Sequence, residues 1–600
     1  MQAQIRSRIL EVSQASAIAS VEPIQALWNG YGMLARVHLA DALYPSVILK
    51  HVQIPKDAAH PRGFTGDIGR ARKVRSYDVE VHWYLHLNRE VSTTAATPSC
   101  LAVVEECGEV ALILEDLCVA GFPEARWSVS TEEVEVVLRW LARFHARFIG
   151  EAGEGLWPTG TYWHLETRPE ELERIRGTRL HQWAGFLDAR LSADPYLTLV
   201  HGDAKLANYC FSEDGAFVAA VDFQYVGRGC AMKDVAYFLG SCLSGDDCEV
   251  LESRLLNSYF QELRGSLPAH LDGSALESEW RELFPVAWAD FERFMLGWSP
   301  GHKKLTGYSH QTTEMAMDQV EAELMDAARE ACLAAGRHIE SSRRVKPAVR
   351  SKGFASEAAD VVTEVDEQAQ AIIASILAPT LARYDLGMLA EEGEHDDSRH
   401  KKHAFWAVDP LDGTQRYIHG DAGYATSVAL VSRAGRPLLG VVYDPAGDAL
   451  YEAVKGRGVT CNGAPLVPPR KDAVPSRPSR LFADPSLRQH PGFESLQERF
   501  EVCFVGGAVM NAIHVLTVPN SVYLKFPKPD LGGCAIWDLA AVSLMLEEVS
   551  GTVRTAHGEA LSLNREQSVY FNDVGLVMAS ADLDADTLLT RLSVNAPMAV

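Results

Sequence analysis

Asp409-Pro410-Leu411-Asp412-Gly413-Thr414 follows the apolar run Phe405-Trp406-Ala407-Val408, and this stretch decides how the C-terminal half is read. The apolar run has the length and composition of a buried strand. Pro410 stiffens the turn after it, so Asp409 and Asp412 can point into one cavity while the Leu411 carbonyl adds a third oxygen. Gly413 and Thr414 then open a helix or turn whose backbone N–H groups face a phosphate. A lone Asp at such a place is ordinarily a cap or turn former. Here the pattern recurs along the chain. Glu391-Glu392 follow Met388-Leu389-Ala390, and Asp538 lies in Ile536-Trp537-Asp538-Leu539-Ala540-Ala541. Asp360 and Asp366 bracket Val361-Val362-Thr363-Glu364-Val365.

A shared purpose for these carboxylates is divalent-cation binding. Mg²⁺ takes hard oxygen ligands in near-octahedral geometry and keeps waters or phosphate oxygens in the remaining positions. Two such ions, roughly 3.5–4 Å apart, clamp the attacking and leaving oxygens of a displacement at phosphorus. In content and order the four acidic segments resemble the signature of the inositol monophosphatase family, including its bisphosphate-nucleotidase branch, over about residues 315–600. The resemblance implies a layered α/β fold and a Mg²⁺-dependent phosphomonoesterase acting on inositol or sugar phosphates or on 3′(2′),5′-bisphosphate nucleotides. It implies metal ligation by Glu391, Asp409, the Leu411 carbonyl, Asp412 and Asp538. Asp366 and Thr414 are implied to orient and deprotonate the attacking water, and lithium inhibition is a family expectation. Two departures stand out: Val542 where the family continues with Gly, and Glu548-Val549-Ser550-Gly551 where it has Glu-x-Gly-Gly. The segment Lys525-Phe526-Pro527-Lys528-Pro529 either supplies two lysines for a further anion or forms a solvated loop.

Working outward to the N-terminal half, His201-Gly202-Asp203-Ala204-Lys205-Leu206-Ala207-Asn208 lies between strand-like runs at 197–200 and 217–221, and Asp222 follows in Val221-Asp222-Phe223-Gln224. This is the layout of a kinase catalytic loop and a metal-binding Asp: one Asp accepts the substrate hydroxyl proton, while Asn and a second Asp hold Mg²⁺ on the nucleotide. It resembles the aminoglycoside phosphotransferase and choline kinase-like superfamily, nearest its ecdysteroid-kinase-like branch, over about residues 20–310. That implies an α+β protein-kinase-like fold with a small β-rich lobe and a larger helical lobe. It also implies Asp203 as catalytic base, Asn208 and Asp222 as metal ligands, His201 as a loop stabiliser and Asp234 as structural. Lys50 would contact the ATP phosphates with Glu80 as its ion-pair partner. Glu115 and Leu117 fall in the hinge that reads adenine. Asn29-Gly30-Tyr31-Gly32, with only two glycines, is a poor phosphate loop and suits a plain hairpin equally.

Six hundred residues exceed one hydrophobic core, and the composition (47% hydrophobic, 23% charged) is that of a folded globular chain. We place a domain boundary near 312, giving a phosphotransferase domain at 1–312 and a phosphatase domain at 313–600. The net charge of −24 repels nucleic acid and anionic lipid, so neither is expected as a partner. Eleven cysteines without a C-x-x-C pair read as thiols in a reducing compartment. No run reaches the roughly 18 apolar residues that span a bilayer, so a cytoplasmic protein is expected; a homodimer stays open. Expected secondary structure includes a hairpin over 24–39, a third strand at 47–52, a basic loop at 61–75, helices at 77–87 and 133–148, helical pattern from 280 to 338, and a basic loop at 343–352.

Two live sites suggest a bifunctional enzyme that phosphorylates a small-molecule hydroxyl with ATP and hydrolyses a phosphate ester. The alternative is a phosphatase whose kinase-like half is a non-catalytic ligand-binding regulator. A kinase with a scaffold phosphatase half ranks last, because the acidic ligand set is complete.

Overall fold

The computed structural model describes residues 2–27, 30–53, 67–91, 95–106, 108–343, 349–351, 361–467 and 479–583. Asp360, Asn29, residues 61–66 of the first basic loop and residues 344–348 and 352 of the second lie outside these residues. The chain divides into two compact units, Met1–Gln319 and Val320–Val600. The division falls within the helix Gly307–Ser342.

In the first unit, strands Ala17–Ala26, Gly32–Ala40, Ser46–Val52, Glu109–Glu115 and Cys100–Glu106 lie side by side in that order, all antiparallel. The first two form the expected hairpin. Its turn closes on Gly32, at φ +133°, where a Cβ would stand 1.9 Å from the His51 carbonyl oxygen. No side chain fits there, which fixes the glycine. Val37, Val47, Leu49 and Ile113 bury one face of the sheet against Ile5 and Ile9 of the Ala3–Ser13 helix.

The basic stretch is not a loop throughout: a helix runs Asp67–His82 and continues as a π-helical turn, Trp83–Leu87. Arg and Lys have good helix propensity, and Gly69, the one glycine within the helix, does not break it. The helix Thr131–Arg147 begins on a reciprocal cap, with Ser130 and Glu133 each satisfying the other's backbone N–H. Its buried residues include Val134, Leu138, Leu141 and His145, spaced along one face. Helices Arg179–Ser192, Met232–Cys242, Gly245–Ser266 and Gly273–Trp298 belong to the helical part of the unit.

In the second unit, a seven-stranded sheet runs in the order Gly387–Ala390, Ala404–Asp412, Ala425–Ser432, Pro437–Asp444, Ala449–Val454, Gly458–Cys461, Ala464–Pro465. Its first pair is parallel and the rest antiparallel. A mixed five-stranded sheet is built around Ser479–Phe482, Ser521–Lys525 and Leu576–Ala579. Helices Ala508–Thr517 and Ile536–Glu548 pack within the core between strand residues such as Phe405, Val442 and Tyr523. Every residue of the Ala404–Asp412 strand is buried, as a strand covered on both faces must be.

The departures from the family pattern sit midway along the Ile536–Glu548 helix and at its C-terminal end. Val542 is buried there, and Ser550 adopts φ +63°, a conformation that a glycine would take without strain. Glu548 accepts the N–H groups of Gly456 and Gly458 at 2.8 and 2.9 Å. Among the described residues every cysteine is free, and no helix is long and apolar enough to cross a membrane.

Candidate functional site

In the second unit the end of the Ala404–Asp412 strand carries the site. Its pairing with Ala425–Ser432 is regular to Asp409, breaks, and resumes at Asp412. The bulge turns both carboxylates the same way. Asp538 comes from the first turn of the Ile536–Glu548 helix, where its Oδ2 accepts the Ala535 N–H at 2.7 Å. Oxygens of Asp409, Asp412 and Asp538 all lie within 4.8 Å of one another, and all three residues are buried.

Three buried carboxylates this close repel. Burial pushes Asp409 and Asp412 well above the ordinary carboxylate range, with further contributions from Glu391 and Asp538 on Asp409 and from Asp538 on Asp412. Asp538 is pushed up to about 6, burial again leading. No lysine or arginine pairs with any of the three among the described residues, so the donor set fits a hard divalent cation in place of a counter-ion.

Glu391 follows the strand Gly387–Ala390 and donates its N–H to the Val408 carbonyl at 3.1 Å. Its charge acts on Asp366, Asp409 and Asp538. It lies outside the tight trio but beside it. Leu411 donates its N–H to Asp409 Oδ1 at 3.0 Å, and its carbonyl accepts Thr414 Oγ1 at 3.1 Å. Thr414 begins the Thr414–His419 helix.

Asp366 is the third residue of the Glu364–Arg383 helix and closes a capping box: its Oδ2 accepts Thr363 N–H at 2.8 Å and the Thr363 hydroxyl at 2.5 Å. Its Oδ1 faces Thr414 Oγ1 at 3.0 Å. Burial pushes Asp366 up to about 6. Asp366 and Asp538 are thus helix caps and site residues at once, because each uses one oxygen on its helix and keeps the other for the cavity.

Asp412 spends both oxygens on backbone, accepting Ala508 N–H and Val509 N–H at 2.9 Å each. This docks the Ala508–Thr517 helix onto the acidic loop. Gly507 makes the approach feasible, since a Cβ there would lie 2.4 Å from Asp412 Oδ2. Lys525 ends the Ser521–Lys525 strand and pairs with Asp484 at 2.7 Å, an arrangement the sequence did not foretell.

In the first unit, Lys50 Nζ reaches Glu80 Oε1 at 2.7 Å and Asp222 Oδ1 at 3.1 Å. Although burial opposes charge on Asp222, Lys50, Lys205 and Lys73 hold its carboxyl well below the usual range. Burial pushes Glu80 up, partly offset by Lys50. Asp222 has φ +69°, a strained conformation for a non-glycine residue. Asp203 is held from three sides. Its Oδ2 accepts Lys205 Nζ at 2.7 Å and Asn208 Nδ2 at 3.1 Å, and its Oδ1 accepts the Tyr237 hydroxyl at 3.2 Å.

Beneath this loop, Asp234 accepts the N–H groups of His201 and Gly202 at 2.5 and 2.9 Å and faces His145 Nε2 at 3.2 Å. His201 Nε2 lies 3.0 Å from the Val221 carbonyl. Glu115 and Leu117 fall elsewhere in the unit's bonding. Glu115 accepts the Ser99 N–H at 3.1 Å, and the Leu117 carbonyl accepts Phe122 N–H at 2.8 Å. Asp116 between them is buried on Arg36 and Ser46, both at 2.6 Å. The sequence reading passed over Lys205 and Tyr237. Lys205 was within reach of pattern reading, two residues after Asp203. Tyr237 was not, because only the fold brings it to the loop.

Residues 320–596 match the family model for the inositol monophosphatase family, and residues 67–270 match that of the phosphotransferase enzyme family. The inositol-1-monophosphatase of Rhizobium meliloti (strain 1021) is 32% identical over 218 residues, covering 36% of this chain and 79% of that protein. The Nus factor SuhB of Vibrio cholerae serotype O1 is 28% identical over 239 residues, 38% of this chain and 84% of the relative. Among solved structures, the extragenic suppressor protein SuhB of Bartonella henselae is 25% identical, with 46% of this chain and 100% of that chain covered at a TM-score of 0.37.

Proposed function

The chain belongs to the inositol monophosphatase family and also carries a region matching the phosphotransferase enzyme family, and from that premise we propose a bifunctional phosphoryl-transfer enzyme. Its second unit hydrolyses a small-molecule phosphomonoester of the inositol phosphate, sugar phosphate or bisphosphate nucleotide type. Its first unit has a protein-kinase-like fold and phosphorylates a small-molecule hydroxyl with ATP.

The observation that carries the hydrolase reading is the buried Asp409–Asp412–Asp538 trio beside the Asp366–Thr414 pair. Asp409, Asp412, Asp538, Glu391 and the Leu411 carbonyl would hold Mg²⁺, which when bound polarises the phosphate and lowers the pKa of a bound water. Thr414 would orient the attacking water through its hydroxyl. Asp366 takes up the proton through Thr414, to which it is already bonded. Each of the three also bonds backbone N–H groups, but among the described residues no lysine or arginine pairs with them, and backbone N–H groups alone leave three buried carboxylates this close poorly compensated.

The kinase reading rests on the assembled Lys50–Glu80–Asp222 cluster and the Asp203–Lys205–Asn208 loop. Asn208 and Asp222 would hold Mg²⁺ of Mg·ATP, and Asp203 accepts the acceptor's hydroxyl proton. The segment around Glu115 and Leu117 would meet adenine through backbone groups. A second reading, a phosphatase with a nucleotide-binding regulatory half, draws support from the two-glycine turn ending at Gly32.

Purified full-length protein, incubated with Mg·ATP and a panel of alcohols, and separately with phosphate esters, tests the proposal. Asp203→Asn should abolish transfer and spare hydrolysis, and Asp409→Asn the reverse. A wild-type protein that binds Mg·ATP without transferring its phosphate to any alcohol or water would favour the regulatory reading instead.

A further inference from the structure

Beside Asp203 stand groups that the phosphoryl-transfer reading leaves without a task. The Tyr237 hydroxyl donates to Asp203 Oδ1 at 3.2 Å, and the Tyr162 hydroxyl donates to Tyr237 at 3.2 Å. Lys304, in the short segment after the Gly273–Trp298 helix, places its Nζ 4.3 Å from the centre of the Tyr237 ring and 5.4 Å from that of Phe291. No carboxylate ion-pairs with this amine among the described residues. Desolvation brings its pKa down to about 8.

The Asp203 charge favours the ammonium without ion-pairing it, and ring faces lie against it, so a cation drawn out of water here is incompletely compensated: a cation–π contact returns up to about 2 kcal/mol, less than a desolvated ammonium loses. Two other lysines of this neighbourhood have polar partners. Lys205 bonds Asp203, and Lys73 bonds Gln224 at 2.6 Å. Tyr162 and Tyr225, in ring contact at 5.8 Å, are both partly exposed next to the Asp203 loop and offer flat apolar faces. Two cations flanking the base disfavour a polycationic amino sugar, which would need carboxylates there.

We propose that Lys304 is the counter-ion for a carboxylate or phosphate carried by the kinase half's acceptor, whose body lies on Tyr162 and Tyr225 while its hydroxyl reaches Asp203. This rests on the kinase reading of the first unit. In the transfer, the bond from the γ-phosphorus of ATP to the bridging oxygen breaks and one to the acceptor oxygen forms. The hydroxyl proton passes to Asp203, and ADP leaves.

Pyridoxal 5′-phosphate, an anionic aromatic aldehyde that forms reducible imines with lysines, probes the site on the full chain. Borohydride trapping and peptide mapping would compare Lys304 with its exposed neighbour Lys303. The proposal expects Lys304 to react at least tenfold faster than Lys303, and this preference to collapse with uncharged pyridoxal. Phenyl phosphate or benzoate should protect Lys304, the better protector telling phosphate from carboxylate. Equal rates at the two lysines, or protection by neither anion, would overturn it. Mg·ATP binding by the same preparation reports separately on the kinase reading. Loss of nucleotide binding with an anion-selective Lys304 sinks that reading and leaves the anion site standing.

Discussion

Thr414 Oγ1 lies 3.0 Å from Asp366 Oδ1 and 3.1 Å from the Leu411 carbonyl oxygen, so two acceptors contend for one hydroxyl proton. Whatever draws on the Leu411 carbonyl turns the proton toward Asp366 and leaves a Thr414 lone pair facing the cavity.

Removing that hydroxyl by Thr414→Ala should lower phosphate release about 10²- to 10⁴-fold, the usual worth of a positioned acid–base relay. The fold should lose only about 1 kcal/mol. Thr414→Ser, which keeps the oxygen, should recover most of the rate. Steady-state kinetics and thermal melts of the two variants decide it; equal rates for Ala and Ser would remove Thr414 from the reaction.

The second unit without cation should be less stable at pH 8 than at pH 5. Asp409, Asp412 and Asp538 all bind protons more tightly folded than unfolded. The folded state therefore holds more protons from about pH 4 upward, and stability falls as pH rises through and beyond about 6. Asp538 alone contributes on the order of 2–3 kcal/mol. Added Mg²⁺ should reverse the trend by replacing the protons. Melting curves at the two pH values after EDTA dialysis, with and without Mg²⁺, would show it.

Lys50→Met should abolish ATP-dependent transfer and leave phosphate release within about twofold of wild type. The lysine is buried between Glu80 and Asp222, so its loss also leaves two carboxylates facing each other. That should cost the first unit about 3–5 kcal/mol, as for any broken buried pair. Adding Glu80→Gln should restore part of the stability and none of the transfer.

Asp234→Ala should unfold the first unit more readily than any change at Asp203. Its carboxylate satisfies two buried backbone N–H groups, at His201 and Gly202, and faces His145. Orphaning them costs about 3–5 kcal/mol. Denaturant titration of the variant beside Asp203→Ala measures the difference.

Ser550→Gly should stabilise the second unit by up to about 1 kcal/mol, because Ser550 sits at φ +63° and glycine relieves that strain. A lower melting temperature for the glycine variant would show that flexibility of the unfolded chain outweighs the relief.

Much of this was readable from residues alone where apolar runs meet turn formers. The Phe405–Val408 run followed by Pro410 and Gly413 marks a strand, a turn and a helix or turn start; the structure has the strand and the helix, but the strand runs on through Pro410 to Asp412 and a bulge stands where the turn was expected. The hairpin ending at Gly32 was legible for the same reason. The stretch before Tyr77 was misread, because its arginines and lysines look like loop while being good helix formers. The double duty of Asp366 and Asp538 was hidden too. Sequence spacing shows a capping carboxylate but not where its second oxygen points. Tyr237 and Lys304 are far from Asp203 along the chain, and nothing local announces that Tyr237 bonds it or that Lys304 lies over the Tyr237 ring.

Lys50 offers one ammonium to two carboxylates, and under the proposed kinase function a nucleotide phosphate would draw it from Asp222. That withdrawal leaves Asp222 uncompensated unless a cation arrives with the phosphate. Free nucleotide and free cation should each bind weakly, and together far more tightly than the product of their separate affinities, with each raising the other's affinity by the same factor. The first unit would then respond to the complex and ignore its parts, so that a fall in free magnesium silences it even where ATP is abundant.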